Sequence, residues 1–301
     1  MRRLVLVFVA FVGSLILGSC QEKIDWELDF DIVMGEIEAT EDDEILNYEE
    51  IMPLSGRFSQ GGDCWGDYFF QFTQNNYEVR VYDLSLKTLV QTIKITSSLG
   101  GFVSNCHCNT VCFGTEYYDA EDMFPLLYVS TGYASGGYTG ALVYRITQHK
   151  GIFFITLVQT IKFPVDKSSW TEFIPAGEYA YLCYTSERVI FKVPMPKLKD
   201  GDLVISRNDA IETYQFTPQP DWMATSRNQD RMFYQGKILF PSGVPGSGEA
   251  SVFVVLNLET QERERIIDFK KNGLTSEPES IFIWQGDICV AFVDKIVKLY
   301  L

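Results

Sequence analysis

From residue 51 onward, apolar and polar positions alternate in short runs. Gly, Pro and β-branched residues punctuate these runs at intervals of roughly 8–12 residues, an all-β signature. No long segment carries the 3.6-residue apolar period of a helix. One run repeats. Leu89-Val90-Gln91-Thr92-Ile93-Lys94-Ile95 returns as Leu157-Val158-Gln159-Thr160-Ile161-Lys162-Phe163, more weakly at 210–216, and in degenerate form ending at Ile266-Ile267-Asp268-Phe269. Insertions at 116–125 and 147–153 lengthen the first interval. Alternation within each copy predicts a half-exposed outer strand.

A second strand precedes each copy, at 79–84, 141–146, 189–193 and 252–258, and a fifth such strand lies at 296–301. Earlier in each unit comes a more apolar pair of strands, including 68–72, 126–130, 179–184, 237–240, and 281–284 with 288–292. Five units across residues 51–301 average about 50 residues, near the length of a four-stranded propeller blade. The pattern therefore predicts an all-β fold: a five-bladed β-propeller. The fifth unit lacks an outermost strand, and residues 50–54 are expected to supply it, closing the ring and hiding an edge. Six blades, with one divergent in the long second unit, and a pair of β-sandwiches are the alternatives.

In a propeller, the segments leading into the innermost strands line the mouth of a shared channel. Here they are 59–63, 105–109, 169–172, 227–231 and 276–280, all polar and all at the same place in their unit. They nominate Gln60, His107, Asn109, Trp170, Glu172, Asn228, Gln229, Arg231 and Glu279 as ligand-binding residues. Ordinary solvated turns would have the same composition. Asp63, Glu172, Asp230, Glu277 and Glu279 place carboxylates on this ring. A pair of acids across a channel can hydrolyse a glycoside, one as acid and the other as base or nucleophile; Glu172, Asp230 and Glu279 are the candidates. Such a ring would also suit calcium, although no cofactor motif is present. There is no phosphate loop, nucleophile elbow or His-Glu-x-x-His. Cys106, His107, Cys108 and Cys112 are soft ligands close in sequence, but Cys-x-Cys is a poor zinc knuckle, so no metal site is expected.

The second stretch continues into Phe113-Gly114 and Phe124-Pro125-Leu126-Leu127-Tyr128. With the His107-x-Asn109 pair, this resembles a motif of exported β-propeller lipoproteins of Gram-negative bacteria. The likeness covers about 25 residues closely and the blade rhythm loosely. It implies a fold and a location, and points to His107 and Asn109 as pocket residues. It implies no activity.

The N-terminus agrees with that location. Two arginines precede an apolar run at 4–17, too short to span a membrane but suited to a secretory signal. Leu17-Gly18-Ser19-Cys20 resembles the lipobox of bacterial lipoproteins, which implies a signal at 1–19, cleavage before Cys20 and lipid on its sulfur. Residues 20–50 read as an acidic tether and 51–301 as the propeller. The net charge of −15 is concentrated in the tether. Acidic tracts of this kind resemble those that send lipoproteins to the outer face of the outer membrane. Contact with a membrane would then run through Cys20, and with no basic stripe, nucleic acid is not an expected partner. Six cysteines remain, an even number that permits disulfides in an exported protein, Cys106–Cys112 among them, while Cys183 and Cys289 sit in apolar strands and read as free and buried. These features together lead us to expect an envelope module that binds a glycan, a peptide or a partner protein without catalysis. The alternatives are a glycosidase-like hydrolase and a scaffold docking through its outer rim.

Overall fold

A computed structural model describes residues 46–54, 59–74, 78–95, 106–132, 137–164, 171–184, 189–216 and 229–301. The expected signal, Cys20, and the tether as far as residue 45 lie outside them, as do Trp170 and Asn228. Among the described residues, no helix is long and apolar enough to cross a membrane.

The described residues open with β1 (Asn47–Pro53), and five antiparallel sheets follow. Blade 1 is β2 (Ser59–Trp65), β3 (Tyr68–Thr73), β4 (Glu78–Asp83) and β5 (Thr88–Lys94). Blade 2 is β6 (Val111–Phe113), β7 (Leu127–Ser130), β8 (Tyr138–His149) and β9 (Ile152–Pro164). Blade 3 is β10 (Thr171–Ala176), β11 (Tyr179–Tyr184), β12 (Val189–Pro194) and β14 (Glu212–Gln215). The short β13 (Leu203–Val204) leaves blade 3 to pair in parallel with β9 of blade 2. Blade 4 is β15 (Met232–Tyr234), β16 (Lys237–Ser242), β17 (Val252–Asn257) and β18 (Glu262–Asp268). Blade 5 has β19 (Pro278–Trp284), β20 (Asp287–Phe292) and β21 (Lys295–Tyr300), and β1 completes it by pairing antiparallel with β21. Pairing starts at Asn47, ahead of the expected 50–54, and Leu46 is already buried against blades 4 and 5. This is a five-bladed β-propeller closed by its N-terminal strand.

Local chemistry sets the blades. The β15–β16 and β19–β20 hairpins turn on Gln235-Gly236 and Gln285-Gly286, in which both residues have positive φ. That is the type I′ geometry matching strand twist. The sequence repeat also has a physical basis. Its Val90 and Val158 are bulged, each lying unpaired between two residues that pair with the neighbouring strand. The glutamine after each bulge reaches the next blade. The Gln91 amide brackets Phe153, donating to its carbonyl at 3.0 Å and accepting from its N–H at 2.8 Å. Gln159 donates to the carbonyls of Lys197 at 3.0 Å and Gly201 at 2.8 Å.

Because both faces of an inner strand meet another blade, these strands are buried at consecutive positions, and successive residues serve opposite neighbours. On β3, Phe69 stacks on Phe282 of blade 5 with centroids 4.5 Å apart. Phe70 instead meets Phe113, Phe124 and Phe153 of blade 2. The same alternation sends Cys183 and Cys289 into apolar interfaces as free, buried thiols. Five hydrophobic clusters result, one for each blade interface.

Phe69→Ala should cost about 3–5 kcal/mol, because it empties space between blades 1 and 5 that rigid strands cannot collapse into. Leu86→Ala, on an exposed turn, should stay within about 0.5 kcal/mol. Urea unfolding midpoints of the two variants provide the comparison.

Candidate functional site

Each innermost strand begins at the same end of the ring, and the expected polar stretches lead into these starts. β2, β10 and β19 open within their stretches, while β6 and β15 follow theirs directly. The structure assigns those residues two kinds of work.

The first is joining neighbouring blades. Asp63 accepts from the backbone N–H of Cys64 through Oδ1 and from that of Phe113 on blade 2 through Oδ2, both at 2.7 Å. Asp230 repeats the arrangement between blades 4 and 5. Its Oδ1 accepts from the N–H of Arg231 at 2.7 Å and its Oδ2 from that of Ile281 at 3.1 Å. Ser130 of blade 2 accepts from the N–H of Phe173 of blade 3 at 2.9 Å. Between blades 3 and 4, Glu172 and Arg231 form an ion pair, with Nε 2.5 Å from Oε2. The guanidinium also lies over Phe240, 5.0 Å from its ring centre. Between blades 5 and 1, Ser280 donates to the carbonyl of Gln60 at 3.1 Å. Every blade interface therefore has a polar latch at the axis. The Cys112 thiol adds a longer link, donating to the Arg231 carbonyl at 3.3 Å.

The second is carrying hydrogen-bonding groups the protein does not use. Gln60 Oε1, Thr110 Oγ1 and Thr171 Oγ1 are buried and have no hydrogen-bond partner among the described residues. The Gln71 amide, on β3 opposite Gly62, is in the same position with both its oxygen and nitrogen. Polar atoms buried in this way are rare in native proteins, and water or a ligand usually explains them.

His107 and Asn109 are brought together, with Nδ1 of the ring against Oδ1 of the amide. The His107 N–H donates to the Thr131 carbonyl at 2.7 Å, fixing this segment to blade 2. The segment then presses on blade 1. The Gly61 N–H donates to the Cys108 carbonyl at 2.9 Å, and a β-carbon on Gly61 would lie 2.1 Å from the Asn109 carbonyl oxygen. Glycine is required there by close approach of two backbones. Gln229 donates to Glu277 at 2.8 Å beside Glu279.

The electrostatics follow from enclosing several acids in one buried region. Asp63 keeps some contact with solvent, yet burial pushes its carboxyl up to about 7, against the two backbone N–H groups that favour its charge. Burial raises Asp230 well above the usual range, and the charges of Asp63 and Glu172 add to this. Glu279 is raised by burial, then by Glu277 and Asp230. Burial also raises the Cys112 thiol, with Asp230, Asp63 and Glu172 adding to the effect. These groups therefore sense one another around the axis. Among the described residues, no three His, Cys, Asp or Glu side chains are placed to hold a metal ion.

The polar stretches lie at the inner-strand starts as expected, but Thr110, Ser130, Thr171 and Ser280 were not among the nominated residues. Their offsets, in register with or next to the polar stretches, were the available signal for all but Ser130, which lies one strand farther out.

No protein-family model and no curated protein matches the chain. Solved structures do. Glutaminyl cyclase of Myxococcus xanthus superposes with a TM-score of 0.51 at 12% identity, covering 85% of this chain and 95% of that one. A tail fiber of Staphylococcus aureus phage P68 gives 0.51 at 9% identity, over 84% of this chain and 52% of the fiber. A GH43 endo-arabinanase from Bacillus licheniformis gives 0.45 at 9% identity, over 82% and 96%. Likeness at this identity concerns the fold alone.

The raised carboxyl of Asp63 makes stability depend on pH. Its folded value of about 7 lies above the ordinary 3.8, so the folded state holds the proton more tightly. The stabilisation is complete below about 4 and is lost as pH rises to about 7. Asp63→Asn should remove that part of the slope, so thermal melting between pH 4 and 7 should fall less in the variant than in the parent chain.

Proposed function

We propose that this protein is a lipid-anchored component of a Gram-negative cell envelope, more specifically of the outer-membrane surface. Its propeller binds a polar ligand at the channel mouth without transforming it, and a glycan is the ligand class we favour over a peptide or an envelope protein. The observation that carries this reading is the set of unused polar atoms on Gln60, Thr110 and Thr171. They come from three blades and share the ring with Glu172, Arg231 and Glu279. Sugar hydroxyls donate and accept, so they can satisfy such atoms in pairs, and ligand sites favour a few convergent polar groups. His107, Asn109 and Gln229 belong to the same ring, and Trp170 and Asn228 adjoin it in sequence. The signal layout and Cys20 support the anchor. A calcium ion among the acids would be compatible with sugar binding, but the reading does not require one.

A hydrolase reading is favoured by a different observation. Burial keeps Asp230 and Glu279 inclined to hold a proton, as a general acid must, and Asp230 is close enough to Glu172 to feel its charge. Against it, Asp230 is held by two backbone N–H groups and Glu172 by Arg231. That leaves Glu279 as the least committed of the three.

The test is binding of the full chain to a broad glycan array, with Thr171→Val and Gln60→Leu as variants. A bound glycan should lose at least about tenfold in affinity, or 1.4 kcal/mol, in each variant. Unchanged binding would remove the channel mouth as the site, whereas release of new reducing ends, abolished by Glu279→Gln, would replace binding by hydrolysis. The anchor has its own check: Cys20→Ser should abolish incorporation of labelled palmitate, and retained label would overturn it.

A further inference from the structure

Two cysteines beside the channel are in contact. Cys106 and Cys108 flank His107, both are fully buried, and their sulfurs are 3.2 Å apart. In an extended strand, residues two apart share a face but stand too far apart for such contact. At Cys108 the φ of 55° is in the left-handed region that β-carbon sterics disfavour, and it turns the side chain away from its direction in a strand, marking a bend there. The surroundings hold the bend in place. Cys106 bridges to Gly132, the His107 N–H bonds to Thr131, and the Cys108 carbonyl receives the Gly61 N–H of blade 1.

The other thiols have different roles. Cys64 donates to the Gly66 carbonyl at 3.2 Å, Cys112 to that of Arg231 at 3.3 Å, and Cys289 to that of Asp287 at 3.8 Å. For Cys106 and Cys108 the carbonyl contacts, at 3.9 and 4.0 Å, are longer than the 3.2 Å between the two sulfurs.

We propose that Cys106 and Cys108 form a disulfide that staples the bend carrying His107 and supporting Gly61. The oxidant is a low-molecular-weight or protein disulfide acting by thiol–disulfide exchange. One cysteine thiolate attacks it to give a mixed disulfide and one thiol. The second thiolate then displaces the other half, forming the Cys106–Cys108 bond. In balance, two cysteine thiols lose two protons and two electrons, and the incoming disulfide gains them to become two thiols. Export to an oxidising compartment would supply this oxidant, but the chemistry of the pair does not depend on the export reading.

The full chain, unfolded in reductant and refolded in a glutathione couple poised at about −200 mV, tests this. After acid quenching, denaturation, alkylation and digestion, Cys106 and Cys108 should appear in one linked peptide, two hydrogens lighter and unalkylated. Cys64, Cys112, Cys183 and Cys289 should take the label. In Cys106→Ala, Cys108 should become alkylated while the other four are unchanged. The same assay on protein folded after export to a bacterial periplasm and purified without reductant covers poor refolding. Label on both Cys106 and Cys108 in the parent chain, or a link from either to Cys112, would overturn the proposal.

Discussion

Five twisted sheets, each with two apolar faces, can bury both faces only if they close into a ring. That constraint governs the rest of the molecule. It explains why inner strands such as β3 are apolar at consecutive positions, with Phe69 serving one neighbour and Phe70 the other. It explains why β1 returns to pair with β21: an open ring would leave a sheet edge and the cluster around Ile51, Met52 and Phe282 unprotected. Apolar packing is non-directional, however, and does not by itself fix how far each blade turns relative to the next. The directional contacts stand at the two radial extremes. At the rim, Gln91 and Gln159 bracket backbone of the following blade, and at the axis a polar latch spans each interface.

The axial latches explain why the centre is both charged and buried. Asp63 and Asp230 accept backbone N–H groups that innermost strands, having no further strand on the channel side, would otherwise leave unpaired. Enclosing these carboxylates raises their affinity for protons, so the groups that close the ring also make its centre sensitive to pH. The side chains of Gln60, Thr110 and Thr171 take no part in this joining, and the proposed binding draws on them. Structure and proposed binding thus divide one polar ring between them.

Much of the architecture was legible because the chain repeats itself. The Leu-Val-Gln run located outer strands, and the structure adds the reason it persists: a bulge and a bracketing glutamine. The polar stretches marked the inner-strand starts for the same reason. Partnerships were not legible. Glu172 and Arg231 are far apart in sequence, and nothing in either stretch shows that the guanidinium meets a neighbouring carboxylate rather than a ligand. Ser130 lies on a second strand, outside the register that exposed the others. The excursion of β13 to blade 2 depends on a parallel edge pairing of two residues, too short to leave a pattern. The approach of Cys106 to Cys108 requires a backbone angle that cysteine seldom adopts, so the spacing alone suggested no contact.

Directional polar contacts at the axis hold the blades in register. A double-mutant cycle on Glu172 and Arg231 addresses this most directly, using Glu172→Gln, Arg231→Met and the pair, with unfolding free energies from urea titration. Each single change leaves a buried charge without its partner and should cost about 3–5 kcal/mol, and the pair should cost less than the sum by at least about 2 kcal/mol. Costs that add to within about 0.5 kcal/mol would mean that the two groups do not hold each other, and would contradict the account.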